Sequence, residues 1–234
     1  MLGEYIMNDS KQMDFVDGKL YKALNFIYWI TMSSTLFMIS NILLIFAIYA
    51  ILINSNGSPI NIYHFITVGV LALPIGPSLT GLYTVMDKVI KNSDVSVIRD
   101  YFAGYRRHLG SSIIISFIIV LISVVAVINY HILSQSDTLG FLLLPLLAML
   151  SLLLCVTLYV FPLLTIKKRK VIEVFKLSLY FAIREFKVTL FLLLSFVVSV
   201  YLMLLLPTML TFILPGTFCI VTSYILQAVY KKVI

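Results

Sequence analysis

Six long runs of apolar residues, separated by short polar or charged stretches, dominate the chain. They cover Leu24–Ile53, Ile60–Met86, Leu109–Tyr130, Leu139–Thr165, Val188–Leu206 and Thr208–Tyr230. A helix needs about 20 mostly apolar residues to cross a hydrocarbon layer ~30 Å thick. Each run meets that requirement, so the pattern predicts six transmembrane helices. The first run, 30 residues long, would make a helix of about 45 Å at ~1.5 Å per residue. Such a helix tilts, or its first turns lie in the interface.

The polar connections are of two kinds. Asn54–Pro59, His131–Thr138 and the turn around Pro207 carry no Lys or Arg. All 17 basic residues fall on the other side: in the first 22 residues, between runs two and three, between runs four and five, and after run six. This bias predicts that both termini and both long connections are cytoplasmic. The expected organisation is a tail over 1–22 and a single six-helix membrane domain over 23–234. The turn between the last two runs is left open by the charges. It falls either near Pro207 or at Pro215, within Leu214–Gly216.

Both basic connections have helical rather than random patterning. Between runs two and three, Val97, Ile98, Tyr101, Phe102, Tyr105 and Leu109 recur at helical spacing. Arg99, Asp100, Arg106 and Arg107 lie off that stripe. Asp94 or Ser96 is placed to cap the start, and Gly110 to end it. Between runs four and five the polar stripe is narrow: Glu173, Lys176, Tyr180, Arg184 and Lys187. Two amphipathic cytoplasmic helices, about 94–108 and 168–186, are expected. They would lie at the lipid boundary with their basic groups toward anionic headgroups, or present a docking surface to a partner. The residues concerned are Arg99, Arg106, Arg107, Lys167, Lys168, Arg169 and Lys170.

Composition agrees with a membrane location. Of 234 residues, 61% are hydrophobic and 12% charged, against roughly half and a quarter in soluble domains. The mean hydropathy is +1.07. A net charge of +7 would suggest nucleic acid in a soluble protein; here the position of the charges points to a membrane surface. Cys155 and Cys219 sit in apolar runs and read as small core residues. No Cys/His spacing suggests a metal, and no cofactor is expected. The first apolar run is too long for a signal-peptide core, and the mixed-charge tail ahead of it lacks a cationic start, so no cleaved signal peptide is expected.

One stretch departs from the pattern. Leu71–Tyr83, "LALPIGPSLTGLY", places Pro74, Gly76, Pro77 and Gly81 within a spanning run. Each proline removes an N–H and would leave the carbonyls of Val70 and Leu73 without their usual donors. Lipid offers no substitute, so the break must face protein or a wet cavity. Ser78 and Thr80 are near enough to donate. Gly76, Thr80 and Thr84, with Gly81 beside them, form a small face suited to close helix approach. The reading is a kinked packing face; the alternative is a substrate site at a broken helix. Leu73–Lys91 also resembles Leu214–Lys232 at its start and its basic end, a hint of internal duplication.

The order "LNFIYWI", then "LPIGPSLTGLYTVMDKVIKNSDVSVIRDYFAGYRRHLGSS", then "YVFPLL" ahead of a basic helix resembles the YesL-like family of bacterial membrane proteins. The resemblance is most specific over Pro74–Arg107, with support from Tyr83, Tyr159, Phe161 and Pro162. It implies a cell-membrane protein, encoded near sugar ABC importers and without assigned catalytic residues.

Function classes narrow accordingly. The predicted runs hold no Asp, Glu, Lys or Arg away from their ends, where an ionisable residue would mark an ion or proton path. His64, His108 and His131 are scattered, so no enzyme is expected. The expected function is an accessory or regulatory partner of a carbohydrate ABC importer, meeting its permease or ATPase. The competing reading is an oligosaccharide transporter acting alone, with Asn25, Tyr28, Trp29, Asn41, Tyr49, Tyr83, Thr222, Tyr224 and Gln227 as sugar-facing groups.

Overall fold

A backbone in hydrocarbon must satisfy its own polar groups, and the apolar runs do so as helices. The computed structural model describes residues 18–54, 62–91, 93–134, 140–166, 170–205 and 212–233. Among them the helices are α1 (Lys19–Ser40), α2 (Ile42–Asn54), α3 (Ile62–Leu71), α4 (Ile75–Ile90), α5 (Val97–Arg107), α6 (Leu109–Ser134), α7 (Leu143–Ile166), α8 (Val171–Arg184), α9 (Phe186–Leu205) and α10 (Leu214–Val233). There is no strand among the described residues. The fold is all-α.

Five stretches are long and apolar enough to cross a membrane: Tyr21–Ser40, Tyr63–Ile90, Leu109–Ser134, Gly140–Ile166 and Phe186–Met203. The chain thus has the build of a multi-pass membrane protein. A count of six is not reached by these criteria. The apolar part of α10, Leu214–Tyr230, is shorter. At ~1.5 Å per residue it reaches about 25 Å, less than the ~30 Å hydrocarbon layer.

The first apolar run is not one helix. It breaks at Asn41, whose backbone sits at φ −112° and ψ 17°. Side-chain chemistry explains the break. Asn41 Nδ2 donates to the Phe37 carbonyl at 2.8 Å and Ser40 Oγ to the Leu36 carbonyl at 2.8 Å. Short polar side chains of this kind bond the local backbone in place of the helical ladder. Helix α1 also begins at Lys19, inside the stretch expected to be a tail. At the other end, α9 stops at Leu205 and α10 starts at Leu214. Pro215 therefore lies in the first turn of a helix, where its missing N–H is harmless, rather than in a turn between spans. Pro207 lies outside the described residues.

Both amphipathic helices are present, with altered ends. α5 starts after Ser96, but no Ser96 side-chain cap forms. It ends at Arg107 with His108 as its C-cap, so Gly110 belongs to the first turn of α6 rather than closing α5. α8 begins after Lys170, and 168–169 lie outside the described residues. The succession of spanning helix, short amphipathic helix and spanning helix occurs twice, as α4–α5–α6 and α7–α8–α9.

Packing centres on α4. It touches α1, α5, α6, α7 and α10, and it is buried nearly all round, with Leu82, Val85 and Met86 fully enclosed. By contrast α2 packs chiefly against α3, and α3 against α6. Their Leu43, Phe46 and Tyr63 are 69%, 70% and 76% exposed. In a soluble protein these would be sticky patches; against lipid tails they are matched to their surroundings.

Candidate functional site

The proline–glycine stretch is a break, and its backbone groups are recovered locally. Tight three-residue turns connect α3 to α4: Leu73 N donates to the Val70 carbonyl at 3.3 Å and Ile75 N to the Ala72 carbonyl at 3.0 Å. The Val70 carbonyl is thus satisfied by backbone, not by Ser78 or Thr80 as expected. Those hydroxyls serve the turn that follows. Ser78 Oγ donates to the Pro74 and Ile75 carbonyls, both at 2.9 Å, and Thr80 Oγ1 to the Pro77 carbonyl at 2.8 Å. Ser78 in turn accepts from Asn41 Nδ2 at 2.8 Å. The kink between α1 and α2 is therefore bonded directly to the kink between α3 and α4.

The small residues beyond the break do not form one face. Gly76 lies against α6 and α7, where a β-carbon would come within 3.0 Å of Ser116 Oγ, the Ser112 carbonyl and Phe161. Gly81 instead meets the Tyr101 carbonyl of α5. Pro77 and Thr80 are buried between these contacts. So Gly76 and Gly81 sit at close contacts on two sides of α4, Pro77 is buried within the helix, and Pro74 stands half-buried at its start.

Helix α5 is fastened to α4 by polar groups that periodicity did not single out. Asp100, expected off the packed stripe, is buried. It accepts from Lys88 Nζ at 2.6 Å and from the Ser96 N–H at 3.0 Å. The second bond caps the helix start, a task expected of a Ser96 or Asp94 side chain. Tyr101 is fully buried, and its hydroxyl lies 3.0 Å from Ser40 Oγ of α1. Burial pushes the Tyr101 phenol above its ordinary value, although the Ser40 hydrogen bond opposes the shift. Of the expected apolar stripe, Val97 and Tyr101 face inward, whereas Ile98 and Phe102 are exposed.

A second carboxylate also lies inside. Asp87, one residue beyond the expected end of the second run, is 8% exposed. Its Oδ1 accepts from Gln227 Nε2 of α10 at 3.1 Å. The reading that the spans carry ionisable groups only at their ends therefore needs amending: this end is enclosed by other helices. The signal in the sequence was Gln227 within an apolar run, although its partner could not be inferred from spacing.

With α5 held this way, Arg99, Arg106 and Arg107 remain exposed. Lys170, ahead of α8, is also exposed, while Lys167, Lys168 and Arg169 lie outside the described residues. Beside Arg99 opens a cleft of about 1620 Å³. Tyr21, Lys22 and Trp29 of α1, Lys88 of α4, Arg99 of α5 and Tyr224 of α10 are among its walls. Cationic and aromatic side chains in one cleft suit an anionic or hydroxyl-rich group. No group of three or more His, Cys, Asp or Glu able to hold a metal occurs among the described residues.

The fold and this helix arrangement define a polytopic, all-helical membrane protein. Residues 23–130 are similar to a family described as "Protein of unknown function, DUF624". That stretch runs from α1 through most of α6 and contains both kinks, the α4–α5 crossing and the exposed arginines of α5. No curated protein and no solved structure matches the chain.

Proposed function

We propose that the chain is a non-enzymatic accessory or regulatory subunit of a carbohydrate ABC importer. It would reside in the cell membrane with both termini cytoplasmic, as a YesL-like protein. The observation that carries this reading is the anchoring of α5. A half-buried ion pair and a buried tyrosine fix one face of the helix to the bundle, and Arg99, Arg106 and Arg107 stay exposed. A rigid element that displays arginines suits a carboxylate-bearing surface on a permease or ATPase subunit, because Arg forms bidentate pairs with carboxylates. The same groups, with Lys170 and the 167–169 cluster, also suit anionic lipid headgroups. Nucleic acid is not the partner in this reading.

The test is affinity capture from mildly solubilised membranes, followed by mass spectrometry. Importer subunits are expected with the native chain and are expected to be lost when Arg99, Arg106 and Arg107 are all changed to Glu. Capture of no importer component in several detergents contradicts the proposal.

The cleft supports a second reading, oligosaccharide transport by this chain alone. Trp29, Tyr21 and Tyr224 offer ring faces, and Asn25 an amide, to sugar hydroxyls. Purified protein in liposomes would then move a labelled oligosaccharide without any partner.

A further inference from the structure

A second cavity lies inside the bundle and is unrelated to the basic cleft. It measures about 490 Å³ and is partly open. Its walls include Phe37 of α1, Leu79 of α4, Phe161 of α7, Phe196 of α9 and Phe218 of α10. Nearly all of its lining residues belong to the apolar stretches long enough to cross a membrane or to the shorter apolar α10. We infer that it holds one acyl chain of a bilayer phospholipid.

Wall chemistry, size and surroundings all favour that occupant. The wall is almost wholly apolar and suits water poorly: its few hydroxyls are those of Tyr83, Ser123, Thr157 and Ser199. A buried water needs two to four polar partners, but the hydroxyls of Thr157 and Ser199 donate back to the Leu153 and Ser195 carbonyls of their own helices, each at 2.8 Å. A partner helix is excluded by size. One helical turn ~5.4 Å long and about 10 Å across already occupies roughly 420 Å³, so the cavity could take little more than one turn. Leaving the space empty forfeits the dispersion contacts of the aromatic and leucine walls, and the medium just outside is hydrocarbon. A flexible chain of methylenes fits such a volume, which is typical of small-ligand sites.

The proline break ahead of α4 and the start of α10 both border the space: Leu79 follows Pro74–Pro77 in α4, and Pro215 of the α10 first turn is itself part of the wall.

The experiment uses the full chain in lipid nanodiscs containing a phospholipid with a photoactivatable diazirine in one acyl chain. After irradiation, adducts are mapped by peptide mass spectrometry. Adducts are expected on Leu79, Leu158, Phe196 or Phe218, in addition to outward residues such as Phe46 and Leu144. Adducts confined to outward residues overturn the inference. Ser199→Phe and Ser123→Phe, made separately, project a ring into the space from α9 and α6. Each is expected to reduce the cavity adducts several-fold and leave those at Phe46 unchanged. Undiminished cavity adducts in either folded variant also overturn it. If neither variant folds, the map of the native chain alone decides.

Discussion

Gly81 and Gly104 face each other where α4 and α5 cross. A β-carbon built on Gly104 would lie 3.2 Å from Gly81 Cα and 2.6 Å from Thr84 Cβ. The backbones can come this close because neither residue has a side chain. This is the membrane form of close helix packing, where dispersion over a short distance replaces the hydrophobic drive available in water.

Gly104→Ala is therefore expected to destabilise the protein by about 1–3 kcal/mol, the range for overpacking a tight contact. Thermal unfolding in detergent reads the change. Gly110→Ala is the control. A β-carbon there meets nothing within 4 Å, and alanine in a helical position is worth roughly 0.5–1 kcal/mol over glycine. The first substitution should lower the unfolding temperature, and the second should hold or raise it.

The α5 start depends on Asp100. Its side chain is 9% exposed, against 41% for Lys88, so solvent screens part of the ion pair while the bond to the Ser96 N–H is better protected. Asp100→Ala leaves that N–H without its acceptor and is expected to cost about 1–3 kcal/mol. Asp100→Asn keeps an oxygen for Ser96 and should lose less. Equal losses in unfolding midpoint would show that the charge, not the cap, is what matters.

Tyr101 supplies a pH dependence. Burial favours its neutral phenol, so its folded pKa stands above the ordinary tyrosine value, with the Ser40 hydrogen bond acting against this. The resulting stability is fully present below the unfolded value of about 10 and is lost as pH rises from there through the folded value. Tyr101→Phe should show a shallower decline in unfolding temperature above that point than the native protein. At neutral pH the variant gives up only the Ser40 bond, about 0.5–1.5 kcal/mol. An unchanged alkaline slope would contradict the assignment.

Asn41 and Ser78 join the two kinks through one hydrogen bond of 2.8 Å. A double-mutant cycle with Asn41→Ala and Ser78→Ala should return a coupling of about 0.5–1.5 kcal/mol, read as unfolding free energies in detergent. A coupling near zero would mean that the kinks form independently.

Much of the architecture was legible as periodicity. Unbroken apolar runs marked the spanning helices, and the alternation around Val97–Tyr105 and Val171–Arg184 marked the two amphipathic ones. Pro74 and Pro77 marked the break. What was not legible depends on distant partners. Asn41 reads as one polar residue in an apolar run until Ser78 is placed beside it, 37 positions away. Asp100 reads as solvated, since nothing in its own helix shows that Lys88 and the Ser96 N–H receive it. Asp87 reads as a span end because its partner Gln227 is 140 positions away. A charge is buried when a partner offsets its desolvation, and no local pattern contains that information. The arginines of α5 were singled out because they lie off its apolar stripe, but the anchoring that leaves them exposed became visible only in three dimensions.

The account rests on the basic end of the bundle facing the cytoplasm, where α5 can meet an importer subunit. Cysteine accessibility tests this most directly. In a background with Cys155 and Cys219 changed to Ala, single cysteines are placed at Arg99, Arg106 and Lys170, and intact cells are treated with a membrane-impermeant maleimide. The account predicts no labelling until the cells are permeabilised, and full labelling afterwards. Labelling of any of the three positions from outside intact cells would contradict it.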